Sequence, residues 1–193
     1  MKELVFLLEE PSAKAMLESL LPRVLNEGTA FRCIPFQGKQ DLQKQLVRKI
    51  RAYQNDQARF IVLRDQDSAP NCIHIKQDLL NLCEQSGKLD KCLVRIACKE
   101  LETFYLADLL AVEQALGLNG LERQQQKRKF RTPDLLGNPS HELITLTNRC
   151  YEKVAGSRVI GAYLQLDNDR SPSFRNLIAG IRRMENELMA ENA

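Results

Sequence analysis

Several absences narrow the chain before any motif is considered. It carries six cysteines, yet no two are spaced as CxxC, and no cysteine–histidine group has zinc-finger spacing. The common structural zinc sites and the dithiol redox motif are therefore not expected. The stretch Gly38-Lys39-Gln40-Asp41 lacks the glycine spacing of a phosphate loop, so ATP hydrolysis by this chain is not expected. No apolar run reaches the length needed to span a bilayer. The opening ten residues have an apolar core too short for a secretory signal, and Glu9 and Glu10 end it. The only two histidines, His74 and His141, sit in helical contexts without partners, and neither is expected to be catalytic. There is no internal repeat and no low-complexity tract. A net charge of +3 neither demands nor forbids a polyanionic partner, so the distribution of charge must decide. These features lead to the expectation of a cytoplasmic protein, without a membrane partner. Its cysteines are read as small buried thiols in a reducing compartment rather than as disulfides.

What is present suits a single compact unit. Apolar residues make up 44% of the 193 positions and charged residues 27%. Short apolar runs at Lys2–Leu8, Phe31–Phe36, Phe60–Arg64 and Leu93–Cys98 read as strands. Segments with helical spacing lie between them: Ala13–Leu25, interrupted by Pro22 and stopped near Gly28; a helix from Gly38 with Leu42, Leu46, Ile50 and Tyr53 on one stripe; Asn71–Ser86; and a long helix at Glu100–Leu116. Alternating strands and helices imply an α/β fold, a mostly parallel sheet of about four strands flanked by helices. The alternation stops near Leu118. Residues 1–118 form the expected α/β core and 119–193 a helical extension packed on it, with helices at His141–Tyr151 and Ser173–Met189. The apolar positions Phe174, Leu177, Ile178 and Ile181 suit either a core or a homodimer contact.

The acids are placed where such a fold binds ligands. Asp65 and Asp67 close the third strand, and side chains at i and i+2 can face one pocket. Glu9 and Glu10 close the first. A parallel sheet brings both strand ends to one edge, where open α/β folds bind their ligands. Oxygen ligands of this kind suit Mg²⁺ or Mn²⁺. Glu9 and Glu10 also suit a helix start, where the macrodipole favours acids. After the fourth strand come Glu100 and Glu102, of which only one can reach the pocket.

Three segments together resemble the Toprim-like fold: Leu7-Leu8-Glu9, Leu63-Arg64-Asp65-Gln66-Asp67, and Glu100-Leu101-Glu102-Thr103-Phe104-Tyr105-Leu106-Ala107-Asp108. More narrowly, they are similar to a bacterial family of small Toprim-like proteins. The likeness runs along nearly the whole chain, including Lys153–Arg158 and Ser173-Phe174-Arg175. It implies a metal site with Glu9 in the glutamate position and Asp65 and Asp67 in the paired-acid positions, as in topoisomerases, primases and nucleases of that fold. It also implies a possible ATPase neighbour in an anti-phage defence module. Glu10 departs from the pattern, because Toprim proteins usually have glycine there. A carboxylate at that position either adds a ligand or obstructs substrate.

Two basic clusters complete the reading. Arg123, Lys127, Arg128, Lys129 and Arg131 put five positive charges in nine residues, with Phe130 among them. This suits a phosphate-contacting loop and equally a solvated surface. Lys153, Ser157 and Arg158 suit phosphate binding or an interhelical salt bridge. The expected activity is a Mg²⁺-dependent nuclease. Glu9, Asp65, Asp67 and Glu102 hold the metal, Lys153 and Arg158 neutralise the phosphate, and the basic run contacts nucleic acid. The alternative is a non-catalytic subunit that docks on a partner ATPase.

Overall fold

A computed structural model describes residues 1–190. Four strands, β1 (Glu3–Leu8), β2 (Ala30–Pro35), β3 (Ala58–Asp65) and β4 (Cys92–Ala97), form one parallel sheet in the order β2-β1-β3-β4. The inner strands β1 and β3 are buried along their whole length, which is why both read as nearly unbroken apolar runs. Side chains alternate between two cores. Leu4, Phe6, Leu8, Ile61 and Leu63 enter one; Val5, Leu7, Phe60 and Val62 enter the other.

Helix α1 (Pro11–Leu20) connects β1 to β2 on the first face. Helices α2 (Lys39–Arg51) and α3 (Cys72–Gln85) cover the second face and carry the chain from β2 across to β3 and on to β4. The connections after β1 and β3 therefore leave on opposite faces and lead to opposite edges. The C-terminal ends of these two strands are thus the topological switch point of an open α/β sheet.

The single helix expected at Glu100–Leu116 is two: α4 (Glu102–Leu106) and α5 (Leu109–Leu116). Asp108 makes the break by capping α5 with Oδ1 at the Ala111 N–H, 3.2 Å, while its Oδ2 accepts from Gln165 N at 2.8 Å. The helix expected at Ala13–Leu25 likewise stops at Leu20, and Pro22 lies in a 3₁₀ turn, Leu21–Arg23. Beyond residue 118 come α6 (Arg128–Arg131), α7 (Pro139–Leu146), α8 (Lys153–Gly161) and α9 (Pro172–Ala190).

The last helix of the extension packs directly on the sheet. Phe174, Leu177, Ile178, Ile181, Met184 and Leu188 of α9 share a cluster with Leu4, Phe6 and Leu93 of the sheet. The four apolar positions that also suited a dimer contact are thus spent inside the molecule. Helix α8 packs on α1 so closely that a Cβ on Gly161 would lie 2.5 Å from the Met16 carbonyl oxygen. Among the described residues, no helix is long and apolar enough to cross a membrane.

Candidate metal centre at the sheet edge

Two loops carry the acids, and each has a residue in the left-handed region. Asp67 has φ 55° and Lys99 has φ 68°. An aspartate tolerates this conformation better than a lysine does, so Lys99 is the more strained of the two. The pair is locked together by the Asp67 N–H, which donates to the Lys99 carbonyl at 2.7 Å. Gln66 N donates to the Ala97 carbonyl at 2.9 Å, extending the β3–β4 ladder into the loops.

Asp65 is the last residue of β3 and is buried between the strand ends. Burial raises its pKa well above the usual carboxylate range, and the charges of Glu102, Glu9 and Glu10 push it the same way; the Leu101 N–H opposes them. Glu102 opens α4 and is completely enclosed. Its Oε1 accepts from the Tyr151 hydroxyl at 3.0 Å, whereas its buried Oε2 has no hydrogen-bond partner. Burial raises its pKa against the opposing pull of Lys153 and Tyr151. Tyr151 is shared with Ser157, 3.2 Å away, and that hydroxyl is tied to the Lys153 carbonyl at 2.5 Å.

Glu9 turns its Oε2 to the Asp65 N–H, 3.0 Å, with Arg64 Nε at 3.8 Å. Desolvation raises its pKa; the Asp65 N–H opposes this, and the charges of Asp67 and Glu10 add to it. Glu10 pairs with Lys153 Nζ at 2.8 Å and accepts from Ser12 Oγ at 2.9 Å. Burial works against the positive charge of Lys153, but Glu10, Glu102 and Asp65 together raise its pKa.

The edge therefore gathers Glu9, Glu10, Asp65, Glu102 and Lys153. Asp67 behaves differently from the expectation. Its left-handed backbone breaks the period-two alternation, and its Oδ2 pairs with Lys39 Nζ of α2 at 2.9 Å. The two aspartates thus turn to different partners, and the charge of Asp67 is felt by Glu9. Arg158 does not join the edge. It is exposed on α8 and pairs with Glu18 of α1 at 3.5 Å, the interhelical alternative. Of the two acids after β4, Glu102 faces inward, and Glu100 caps α7 by accepting from Ser140 N at 2.7 Å.

The basic run is exposed at Arg123, Lys127, Arg128, Lys129 and Arg131. Its shape is set from within. Gln125 is buried, donating to the Leu106 and Phe130 carbonyls at 3.1 and 2.8 Å and accepting from Leu109 N at 2.8 Å. Phe130 is completely buried, so it offers no stacking face to a base. Lys129 is spent on an ion pair with Glu142.

Tyr151, which donates to Glu102, is the side chain at this edge that residue-by-residue reading missed. The available signal was Gly156: a Cβ there would stand 2.5 Å from the Tyr151 ring. Among the described residues, no three acidic, histidine or cysteine side chains are gathered round one point as they stand. The donor set nevertheless fits a hard divalent cation. It consists of carboxylates, one oxygen of which is buried without a partner, and the acids raise one another's affinity for positive charge.

The model of a family described as a domain of unknown function (DUF4276) matches residues 8–182, from the end of β1 through most of α9. No curated protein and no solved structure matches the chain.

Proposed function

The chain belongs to the DUF4276 family, and for it we propose a Mg²⁺- or Mn²⁺-dependent nuclease that cleaves nucleic-acid phosphodiesters. The observation that carries this reading is the buried Glu102–Asp65 pair at the switch point, with Glu9 and Glu10 beside it and one carboxylate oxygen left without a partner. Burying like charges together is costly unless protons or a cation compensate. The resemblance of these segments to the Toprim-like fold supports the same reading.

When bound, the cation supplies Lewis-acid polarisation of a phosphoryl oxygen and a water acidic enough to attack near neutral pH. Asp65 and Glu9 would provide its oxygen ligands, with Glu102 completing the set; Asp67 would join them only by giving up Lys39. Tyr151 orients Glu102 through Oε1, leaving Oε2 to ligate or to accept a proton from water; a carboxylate with a raised pKa is suited to that exchange. Lys153 trades its pair with Glu10 for the phosphate and neutralises charge that develops there. The exposed Arg123, Lys127, Arg128 and Arg131 contact the nucleic-acid backbone without reading sequence.

The test is cleavage of single- and double-stranded DNA and RNA in Mg²⁺ and Mn²⁺ by the parent chain, Asp65→Asn and Glu102→Gln. Loss of metal-dependent cleavage in both variants, with folding intact, is the expected result. Equal cleavage by parent and variants rejects the assignment.

A second reading has its own support. Glu10 and Asp67 are each neutralised by a lysine within 3 Å, at 2.8 and 2.9 Å. An edge closed in this way suits a non-catalytic subunit that docks on a partner ATPase. No cleavage by the parent and no metal-induced rise in melting temperature would favour it.

A further inference from the structure

Two free thiols stand close to the loops that carry the acids. Cys72 stands in the first turn of α3, and Cys98 directly follows β4. Both line one cavity of about 370 Å³ with Lys76, Ser173 and Asn176. Each is partly exposed, so a small oxidant can reach them from that cavity. The pair lies at the base of the two loops that carry the acids: Cys72 ends the loop from Asp65 to Asn71, and Cys98 begins the loop to Glu102. Those loops are otherwise joined by hydrogen bonds from Asp67 N to the Lys99 carbonyl and from Lys99 N to Gln66 Oε1.

We propose that Cys72 and Cys98 form a reversible disulfide with hydroperoxides, fastening the 65–71 and 98–102 loops to each other at the sheet edge. Cys72 is the attacking sulfur, since burial pushes the Cys98 thiol up to about 11 and leaves it a poor nucleophile near neutral pH. The Cys72 thiolate attacks a peroxide oxygen. An S–O bond forms, the O–O bond breaks, and the departing oxygen leaves as water or an alcohol after taking a proton. The Cys98 sulfur, giving up its proton, then attacks the Cys72 sulfur. The S–S bond forms, the S–O bond breaks, and the hydroxyl leaves as water with that proton. The two sulfurs lose two electrons, and the peroxide gains them. An external dithiol reverses the bond by exchange.

A comparison pair sits at the other end of the same helix. Of Cys83 and Cys92, the first is completely buried, and the Cys92 thiol donates to the Lys88 carbonyl at 3.1 Å. It has no comparable access and serves as the internal control.

The experiment uses hydrogen peroxide on the full chain, followed by thiol blocking and non-reducing peptide mapping. Trypsin cuts after Arg64, Lys76, Lys88, Lys91, Arg95 and Lys99, which leaves Cys72, Cys83, Cys92 and Cys98 on four different peptides. The expected product joins the peptides 65–76 and 96–99. It disappears with dithiothreitol and is absent in Cys72→Ser and in Cys98→Ser. Hydrogen exchange at 66–71 and 99–101 should slow several-fold in the oxidised parent and stay unchanged in peroxide-treated Cys98→Ser. Over-oxidation of Cys72 without a crosslink, or a Cys83–Cys92 crosslink in its place, overturns the proposal. A crosslink without slowed exchange overturns its role as a fastener. None of these readouts depends on a metal or on cleavage, so the result stands apart from the nuclease reading.

Discussion

At the residue scale, Asp65 is the group under greatest electrostatic pressure. Its pKa is raised by burial and by Glu102, Glu9 and Glu10. In the unfolded chain the same carboxyl titrates near its ordinary value, about 4. The folded state therefore binds the proton more tightly, and this stabilising contribution is present at low pH and lost as pH rises through the raised folded value. Glu102 and Glu9 shift in the same direction and add to the slope. Asp65→Asn should raise the melting temperature at pH 8 and flatten the decline between pH 5 and pH 8. Differential scanning calorimetry of the two proteins checks this, and identical pH profiles would remove Asp65 from the cluster. Mg²⁺ or Mn²⁺ should raise the melting temperature of the parent at pH 8 and do so less at pH 5, where protons compete. In Asp65→Asn the metal response should be lost. This residue-scale chemistry was legible only in part. Asp65, Glu9 and Glu102 stood out as acids at strand ends. The direction of Asp67 was not legible, because period-two alternation assumes extended backbone, and its φ is 55°.

At the element scale, α8 is the support of the inner half of the site. Gly156 and Ser157 face inward, and the Tyr151 ring occupies the space that a Cβ on Gly156 would need, 2.5 Å away. Gly156→Ala should displace Tyr151 from Glu102 and cost about 1–3 kcal/mol, as overpacking of a buried contact does. Denaturant titration gives the cost, and a loss of the metal-induced thermal shift reports the displacement. Tyr151→Phe removes only the hydroxyl that binds Glu102 Oε1, so its expected cost is smaller, about 1–2 kcal/mol. The Lys153–Arg158 segment shows how far sequence spacing reaches. Helical periodicity separates 153 and 157 from 158 on the helix surface, and the outward position of Arg158 follows from that. Which neighbour it would meet depended on α1, whose Glu18 lies beside it. The break between α4 and α5 was hidden because Asp108 reads as an ordinary polar residue within a helix. Its capping role becomes visible only with Gln165 in place.

At the scale of the whole molecule, the C-terminal helices complete the fold. The inner face of α9 lies on the same core as β1 and β4, with Leu177 entirely enclosed. Leu177→Ala should destabilise the entire chain by about 2–5 kcal/mol in one cooperative transition. A separate, low-temperature transition of the C-terminal part would show instead that residues 119–193 fold as a distinct unit. The parallel sheet, its four strands and the flanking helices were readable from the sequence, because buried parallel strands must be short apolar runs and crossovers must be amphipathic. Local patterning also located the acids at strand ends, since a strand ends where its apolar run ends. The sequence could not say in which direction each connection leaves its strand. Tertiary packing decided that α1 and α3 depart on opposite faces, which makes the ends of β1 and β3 the switch point. It decided that Phe130 belongs to the core and not to a binding surface, and that Tyr151 reaches Glu102 across nearly fifty residues of chain. Such pairings depend on distances between elements, and these emerge only when all the apolar faces are buried together.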